Sequence, residues 1–475
     1  MRRLAGLILP IAAALAALCH ASAAHAAGPQ LGIADDRILL GGGAPAAEAV
    51  QQWKTLGVQQ VRINAMWNRI APNPRSKTRP AGFDAADPSS PGYDWLPLDN
   101  AINLLAANGI EPIVMITGPG PYWGSRYPSH KSGTYYPSPS AYGSFARAVA
   151  TRYGAVVDSY IIWNEPNLAA WLSPQAKCVR HHGCTAVAPA IYRNLVRAAY
   201  PAIHQADARA TVLIGATSSR GGSLRSASST ERPLAFLRAL GCVTASFKKQ
   251  SGGACKGFKA ATGDGYAYHP HGVLLAPDKA FPDKDDADLA SLGRVESTLD
   301  KLQRRGRLKA TTHRFGIYID EYGYQTNPPD KIAGVSLSRQ DKWLQQAAYM
   351  AWRDPRVKLF SQYLWRDDPV SRGGAYSGWQ SGLLYASGKA KPALKHFGDP
   401  FALDTARGRL WGQVRRRDAP SVSVQRKLKG AKTWKTLKTV KTDSLGYWSW
   451  RTRLTKGASY RYVAAGATSS TLKRG

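Results

Sequence analysis

Two glutamates in this chain each follow a short apolar run and precede turn residues. Glu165 stands in Trp163-Asn164-Glu165-Pro166-Asn167 after Ile161-Ile162, and Glu321 stands in Asp320-Glu321-Tyr322-Gly323 after Phe315-Gly316-Ile317-Tyr318-Ile319. Apolar runs of this length bounded by turn signals read as buried strands. In a barrel of parallel strands, residues at the C-terminal ends of strands open into one shared mouth, however far apart they lie in sequence. Two carboxyls placed there suit the cleavage of a glycosidic bond. One stays protonated and donates to the leaving oxygen, and the other is ionised and attacks or activates water.

A shared mouth needs strands on every side of it, and the chain supplies eight candidates: Leu31 to Leu40, Val58 to Met66, Glu111 to Thr117, Val157 to Trp163, Thr211 to Ala216, Gly265 to His269, Arg314 to Asp320 and Lys358 to Trp365. Helical periodicity falls between them, over Ala46 to Leu56, Leu98 to Asn108, Ser140 to Tyr153, Pro189 to Gln205, Asp288 to Arg305 and Arg339 to Trp352. Alternation of this kind predicts a (β/α)₈ TIM barrel. A doubly wound open sheet is the other arrangement it permits, but no Gly-rich phosphate fingerprint follows the first strand. Long inserts rich in Pro, Gly, Ser and aromatics follow the second, third and fourth strands (Ile70 to Trp95, Gly118 to Pro139, Asn167 to Ala188), where they would wall a cleft.

Outside the barrel pattern the texture changes twice. Residues 1–26 begin Met1-Arg2-Arg3, continue apolar to Cys19 and reach Ala24-His25-Ala26, the pattern of a signal peptide too short and too interrupted by Pro10 to span a membrane. From residue 405 to 475 there are 18 Lys and Arg against 2 Asp and Glu, with alternating stretches such as Ser421-Val422-Ser423-Val424-Gln425. The chain therefore divides into a signal segment (1–26), a barrel (27–404) and a basic, all-β, sandwich-like module (405–475). Export leaves Cys178, Cys184, Cys242 and Cys255 in an oxidising setting. Four cysteines allow three connectivities, of which the local pairs 178–184 and 242–255 are the simplest.

The formal charge of +33 attracts anionic partners. Export and the lack of a nucleic-acid-binding motif weigh against specific nucleic acid. An anionic wall or matrix polymer, met through the basic C-terminal module, fits better, beside the plain reading that the charge serves solubility. No later segment is long and apolar enough to span a membrane, so the mature protein is expected to be secreted, in contact with the cell wall if the module binds it, and monomeric.

Taken together, Trp163-Asn164-Glu165-Pro166 after the fourth strand and Asp320-Glu321-Tyr322-Gly323 after the seventh resemble the motifs of clan A retaining glycoside hydrolases. The resemblance is to the cellulase-like family 5, with family 39 also close, and it covers about Gly32 to Phe397. It implies a (β/α)₈ hydrolase that needs no cofactor, acts on a poly- or oligosaccharide, and uses Glu165 as acid/base and Glu321 as the nucleophile that forms a glycosyl ester. By the same resemblance, Asn164 would bond the sugar 2-hydroxyl and Arg62 would hold Glu321 ionised. His269 would end the sixth strand in the site, and Trp365 would floor the sugar-binding pocket.

Two features depart from family 5. The third strand runs into Gly118-Pro119-Gly120-Pro121-Tyr122-Trp123 where a histidine is usual, and the His-x-Tyr after the sixth strand is His269-Pro270-His271, which leaves Tyr268 as a substitute for the tyrosine. Asp320 rivals Glu321, although strand alternation would turn the two to opposite faces. His269 and His271 could ligate metal, but no matching His, Lys and Asp set stands at other strand ends, so no metal is expected. Trp67, Tyr122, Trp123 and Trp379 join Trp365 as candidates for stacking on sugar rings. The alternative from another class is a non-catalytic barrel that binds anionic polysaccharide, against which two carboxyls placed for acid and nucleophile work argue directly.

Overall fold

The structure, a computed structural model, describes residues 28–370, 378–415 and 419–475. The expected signal segment lies outside the described residues. Eight parallel strands close a barrel in chain order: β1 (Gln30–Ala34), β2 (Gln60–Met66), β3 (Glu111–Thr117), β4 (Ser159–Ile162), β5 (Thr211–Ser218), β6 (Gly265–His269), β7 (Gly316–Tyr322) and β8 (Val357–Tyr363). Around it lie α1 (Asp36–Gly41), α2 (Gly43–Thr55), α3 (Leu96–Ala107), α4 (Pro139–Tyr153), α5 (Ala188–Ala206), α6 (Pro233–Leu240), α7 (Leu292–Arg304) and α8 (Leu337–Arg353). Alternation along the strands builds two apolar layers. Ile113, Met115, Ile161, Leu213, Ala267 and Leu359 fill the barrel interior. Residues of opposite parity, such as Val61, Ile63 and Val114, pack outward against the helices.

The first expected strand stops six residues early. Asp35 is buried and its carboxylate accepts from the Ile38 amide at 3.2 Å and from the Arg366 amide at 3.0 Å. An aspartate so placed caps a helix, so the apolar residues Ile38 and Leu39 are buried from α1 instead of continuing β1.

The C-terminal region forms two antiparallel sheets. β9 (Phe401–Asp404), β10 (Arg409–Gln413) and β13 (Tyr447–Arg451) make one, and β11 (Ser421–Lys427), β12 (Lys435–Lys441) and β14 (Ser459–Ala464) are the main strands of the other. Phe401, Leu410, Val422, Val424, Trp448 and Tyr462 are buried together in its core. β9, which precedes residue 405, pairs antiparallel with β10. Both cysteine pairs close locally, Cys178 with Cys184 across a short hairpin and Cys242 with Cys255. Among the described residues no helix is long and apolar enough to cross a membrane.

Candidate active site

The C-terminal ends of β1, β2, β4, β6 and β7 bring four carboxyls and three bases into the barrel mouth, and the end of β8 adds a tyrosine. On β2, Val61 and Ile63 face the helices, so Arg62 and Asn64 turn inward. The Arg62 guanidinium is buried and binds Glu321 Oε1 through Nη2, while its Nη1 donates to Asn64 Oδ1 at 2.6 Å and to Asp36 Oδ2 at 3.2 Å. Asp36, from the turn that ended β1, is held there by the Asn64 amide at 2.6 Å.

β4 ends in two residues of left-handed backbone, Trp163 at φ 66° and Glu165 at φ 35°. Such non-glycine conformations cost about 1–3 kcal/mol each and persist where the surroundings over-determine them. Here the Glu165 amide bonds the Ala216 carbonyl on β5, and Thr117 Oγ1 accepts from the Asn164 amide at 3.1 Å. The Asn164 side-chain oxygen is buried and has no partner among the described residues.

His269, fully buried at the end of β6, joins the carboxyls. Its Nδ1 lies 3.1 Å from Glu165 Oε1 and 3.6 Å from Glu321 Oε2, and its Nε2 lies 3.2 Å from Asp320 Oδ2. Regular alternation would forbid neighbours Asp320 and Glu321 from reaching one ring. The register of β7 against β8 shifts between Ile319 and Tyr322, where three steps on one strand match two on the other. This β-bulge inserts the extra residue that aims both side chains inward. Asp320 is fully buried beneath the site and Glu321 is nearer its opening.

Burial alone would raise the Glu321 pKa. The charge of His269, then the Arg62 guanidinium and His271, outweigh it and hold the carboxyl at about 2, against an ordinary 4.5. Burial would likewise strip the His269 proton, but Glu321, Asp320 and Glu165 together push its pKa well above 6.5. For Asp36 burial prevails over Arg62 and the Asn64 amide, and its pKa is raised.

Arg62, Glu165, His269 and Glu321 thus converge, Asn164 is buried just past the end of β4 directly before Glu165, and Trp365 does not join them. Trp365 is buried edge-on to Trp53 of α2 at 6.3 Å, in the layer between barrel and helices. β8 ends at Tyr363, so alternation no longer governs the residue two further on. Tyr363 takes the place at the site: its ring is 6.1 Å from His271 and 5.6 Å from Trp379, and burial, then the charge of Glu321, raises the pKa of its hydroxyl. Tyr268 is also elsewhere, its hydroxyl donating to the Ala287 carbonyl; His271 stands beside the nucleophile candidate instead, with Nε2 3.7 Å from Glu321 Oε2. Of the other aromatics, Trp379 is partly exposed over His271, whereas Trp67 and Trp123 are core residues packed on each other. Asp36 and Tyr363 were not foreseen. The doublet Asp35-Asp36 directly after an apolar run was the available signal for the first. Among the described residues no cluster of His, Cys, Asp and Glu is arranged to hold a metal ion.

No family model and no curated protein matches the chain. Among solved structures it is similar to a family 39 glycoside hydrolase from the gut symbiont Bacteroides cellulosilyticus WH2, with 14% identity over 92% of this chain and 81% of that one and a TM-score of 0.53. It is also similar to the virulence factor SghA from Agrobacterium tumefaciens (14% identity, 76% and 92% covered, TM-score 0.44). The exo-beta-1,4-mannosidase Op5Man5 from Opitutaceae bacterium strain TAV5 is similar too (15% identity, 78% and 58% covered, TM-score 0.44). At 14% identity the likeness to the family 39 structure is one of architecture, a shared (β/α)₈ barrel.

Proposed function

We propose that this chain is an exported, retaining glycoside hydrolase. The observation that carries the reading is the approach of Glu165 and Glu321 to the same ring nitrogen of His269, at 3.1 and 3.6 Å. Carboxyls that both approach one nitrogen are held close together, which favours direct nucleophilic attack over attack by an interposed water. Their environments also differ as the two roles require. Glu321 is gripped by Arg62 and stays ionised, while Glu165 lies outside that grip, at the side of the mouth formed by β4.

In this mechanism Glu165 gives its proton to the glycosidic oxygen as the Glu321 carboxylate attacks the anomeric carbon. The bond to the leaving group breaks and a glycosyl ester forms on Glu321. Glu165 then takes a proton from water, whose oxygen attacks the same carbon, and Glu321 leaves as carboxylate. Asn164, with its unpaired amide oxygen, bonds the sugar 2-hydroxyl. Tyr363 and Trp379 offer the ring its apolar platform. The leader-like residues 1–26 and the two disulfides support export, and the basic module from Phe401 onward supports residence at an anionic wall or matrix.

A mechanism-based 2-fluoro glycoside, chosen from a panel of aryl glycosides by turnover, tests the assignment. Peptide mapping should find the label on Glu321, and Glu165→Gln and Glu321→Gln should each lose at least about 10³-fold in kcat with the fold intact, the scale of losing a proton donor or a covalent nucleophile. Label on Asp320, or near-normal turnover in either variant, would sink it.

A further inference from the structure

A second concavity opens on the same face of the barrel, between the loops that follow β2 and β3. It has a volume of about 480 Å³, and its lining includes Arg69, Arg75, Lys131, Tyr122, Ser132 and Thr134. β3 lies between β2 and the strand that carries Glu165, so this pocket flanks the acid/base side of the mouth. Backbone bonds hold the two loops together, the Asn68 amide to the Pro119 carbonyl at 3.0 Å and the Tyr122 amide to the Pro74 carbonyl at 2.8 Å, and the Gly120 amide bonds the Gly133 carbonyl at 2.9 Å to fold the β3 loop on itself. Gly133 is required for that last approach, because a Cβ there would lie 2.0 Å from the Gly120 carbonyl oxygen. The pocket is therefore preformed.

Bare cations are common on a chain with 64 Lys and Arg against 31 Asp and Glu, so charge alone locates nothing. This pocket is distinguished by what accompanies the charge. No Asp or Glu lines it, and Arg69, Arg75 and Lys131 reach no carboxylate among the described residues. Elsewhere on the surface Arg152, Arg232 and Arg407 are paired with Asp99, Asp283 and Asp404. Beside the three cations stand a half-buried Tyr122 ring and the hydroxyls of Ser132 and Thr134, which bond each other at 3.1 Å. An aromatic face, hydroxyl partners and unpaired cations in one preformed cavity match the three kinds of surface on a charged sugar: its C–H face, its hydroxyls and its anion.

We propose that this pocket is a subsite for an anionic sugar unit, carboxylated or sulfated, of a polymer whose glycosidic bond is cut at Glu165 and Glu321. The proposal rests on the hydrolase reading above. Arg75 and Lys131 hold the anion from opposite loops, and Tyr122 supports the ring.

Calorimetry with three oligosaccharides tests it on the full chain: oligogalacturonate, a sulfated galactan oligosaccharide and a neutral galactan oligosaccharide. At least one anionic probe should bind about tenfold or more tighter than the neutral one, the worth of one good charge-assisted bond, and the arm that does so identifies the anion. Arg75→Gln and Lys131→Gln should each weaken that probe about tenfold. Lys248→Gln with Lys249→Gln, which removes exposed charge elsewhere, should leave it unchanged. Bound probe should slow backbone hydrogen exchange over 68–75 and 119–134. An equal loss in the Lys248/Lys249 variant, protection confined to other segments, or equal affinity for all three probes would overturn the subsite. Binding is measured without turnover and should survive in Glu321→Gln, so a failed Glu321 label would reject the hydrolase and leave this result standing on its own.

Discussion

Arg62 holds two carboxylates on one buried guanidinium, and the consequences of removing it can be signed in advance. Glu321 has a folded pKa of about 2 against an ordinary 4.5, so its ionised form stabilises the fold fully above pH 4.5, and that contribution is lost as pH falls from 4.5 toward 2. Arg62→Gln should therefore move the acid limb of kcat/KM upward, toward 4.5, and cost about 3–5 kcal/mol because the buried Glu321 and the half-buried Asp36 lose their cation. An unmoved acid limb, with the fold intact, would show that Arg62 does not set the ionisation of Glu321. His269 has the opposite sign: its raised pKa means stability present below 6.5 and lost as pH rises through the folded value. Trp365 and Tyr363 divide packing from function. Trp365→Ala should destabilise the fold by about 3–5 kcal/mol, as for a buried tryptophan, read as a lower melting temperature, whereas Tyr363→Ala should chiefly lower kcat/KM. Equal effects on both measures would blur that division. Glu165, His269 and Glu321 were legible because each stands at or just past the end of a strand-like run, and Arg62 because it interrupts one, in each case a residue that apolar packing has no use for. Tyr363 was hidden because nothing in the run Lys358 to Trp365 marks where the strand stops.

Strand order and most boundaries follow from apolar runs that fill both layers of the barrel, and β3 and β6 match their expected limits residue for residue. Two local devices escaped that reasoning, for physical reasons. The Asp35 cap competes with strand continuation through hydrogen bonds to Ile38 and to Arg366, a residue 331 positions away that no local window contains. The bulge in β7 depends on the register of β8 and leaves no mark in composition, yet it lets Asp320 and Glu321 address one histidine. The disulfides are simpler to place. Cys178 and Cys184 are directly opposed in a hairpin already paired through its backbone, on the loop after β4. Replacing both with serine should cost about 2 kcal/mol or less by the loop-entropy relation and leave kcat/KM unchanged. A large loss of activity with little loss of stability would make that hairpin a wall of the cleft.

At the scale of the whole molecule, the basic C-terminal module is built into the barrel. Trp411 packs on Tyr349 and Trp352 of α8, Tyr447 donates to the Pro29 carbonyl at 2.8 Å, and Ser470 donates to Gln345 at 2.7 Å. Trp411 and Tyr447 belong to the same apolar cluster as the barrel helices. A chain cut at Asp404 should therefore unfold at markedly lower temperature, and its behaviour would say little about anchoring. The outer sheet offers a cleaner test. Lys427 and Arg461 flank Trp434 at 5.2 and 4.2 Å, and Lys438 lies 5.6 Å from Trp450. Lys435, Lys438 and Lys441 are exposed on β12, which is an edge strand of that sheet. Cations interleaved with aromatic faces suit a sugar polymer that carries negative charge. Substituting the three lysines with glutamine should change stability by no more than about 0.5 kcal/mol, as for most exposed positions. It should also lower the salt needed to elute the full chain from immobilised polygalacturonate, because exposed charges are screened beyond about 10 Å at 0.1 M salt. If the eluting salt stays the same, β12 does not hold the polymer. If it falls equally for a neutral galactan column, the contact is not electrostatic and the module's charge serves another end.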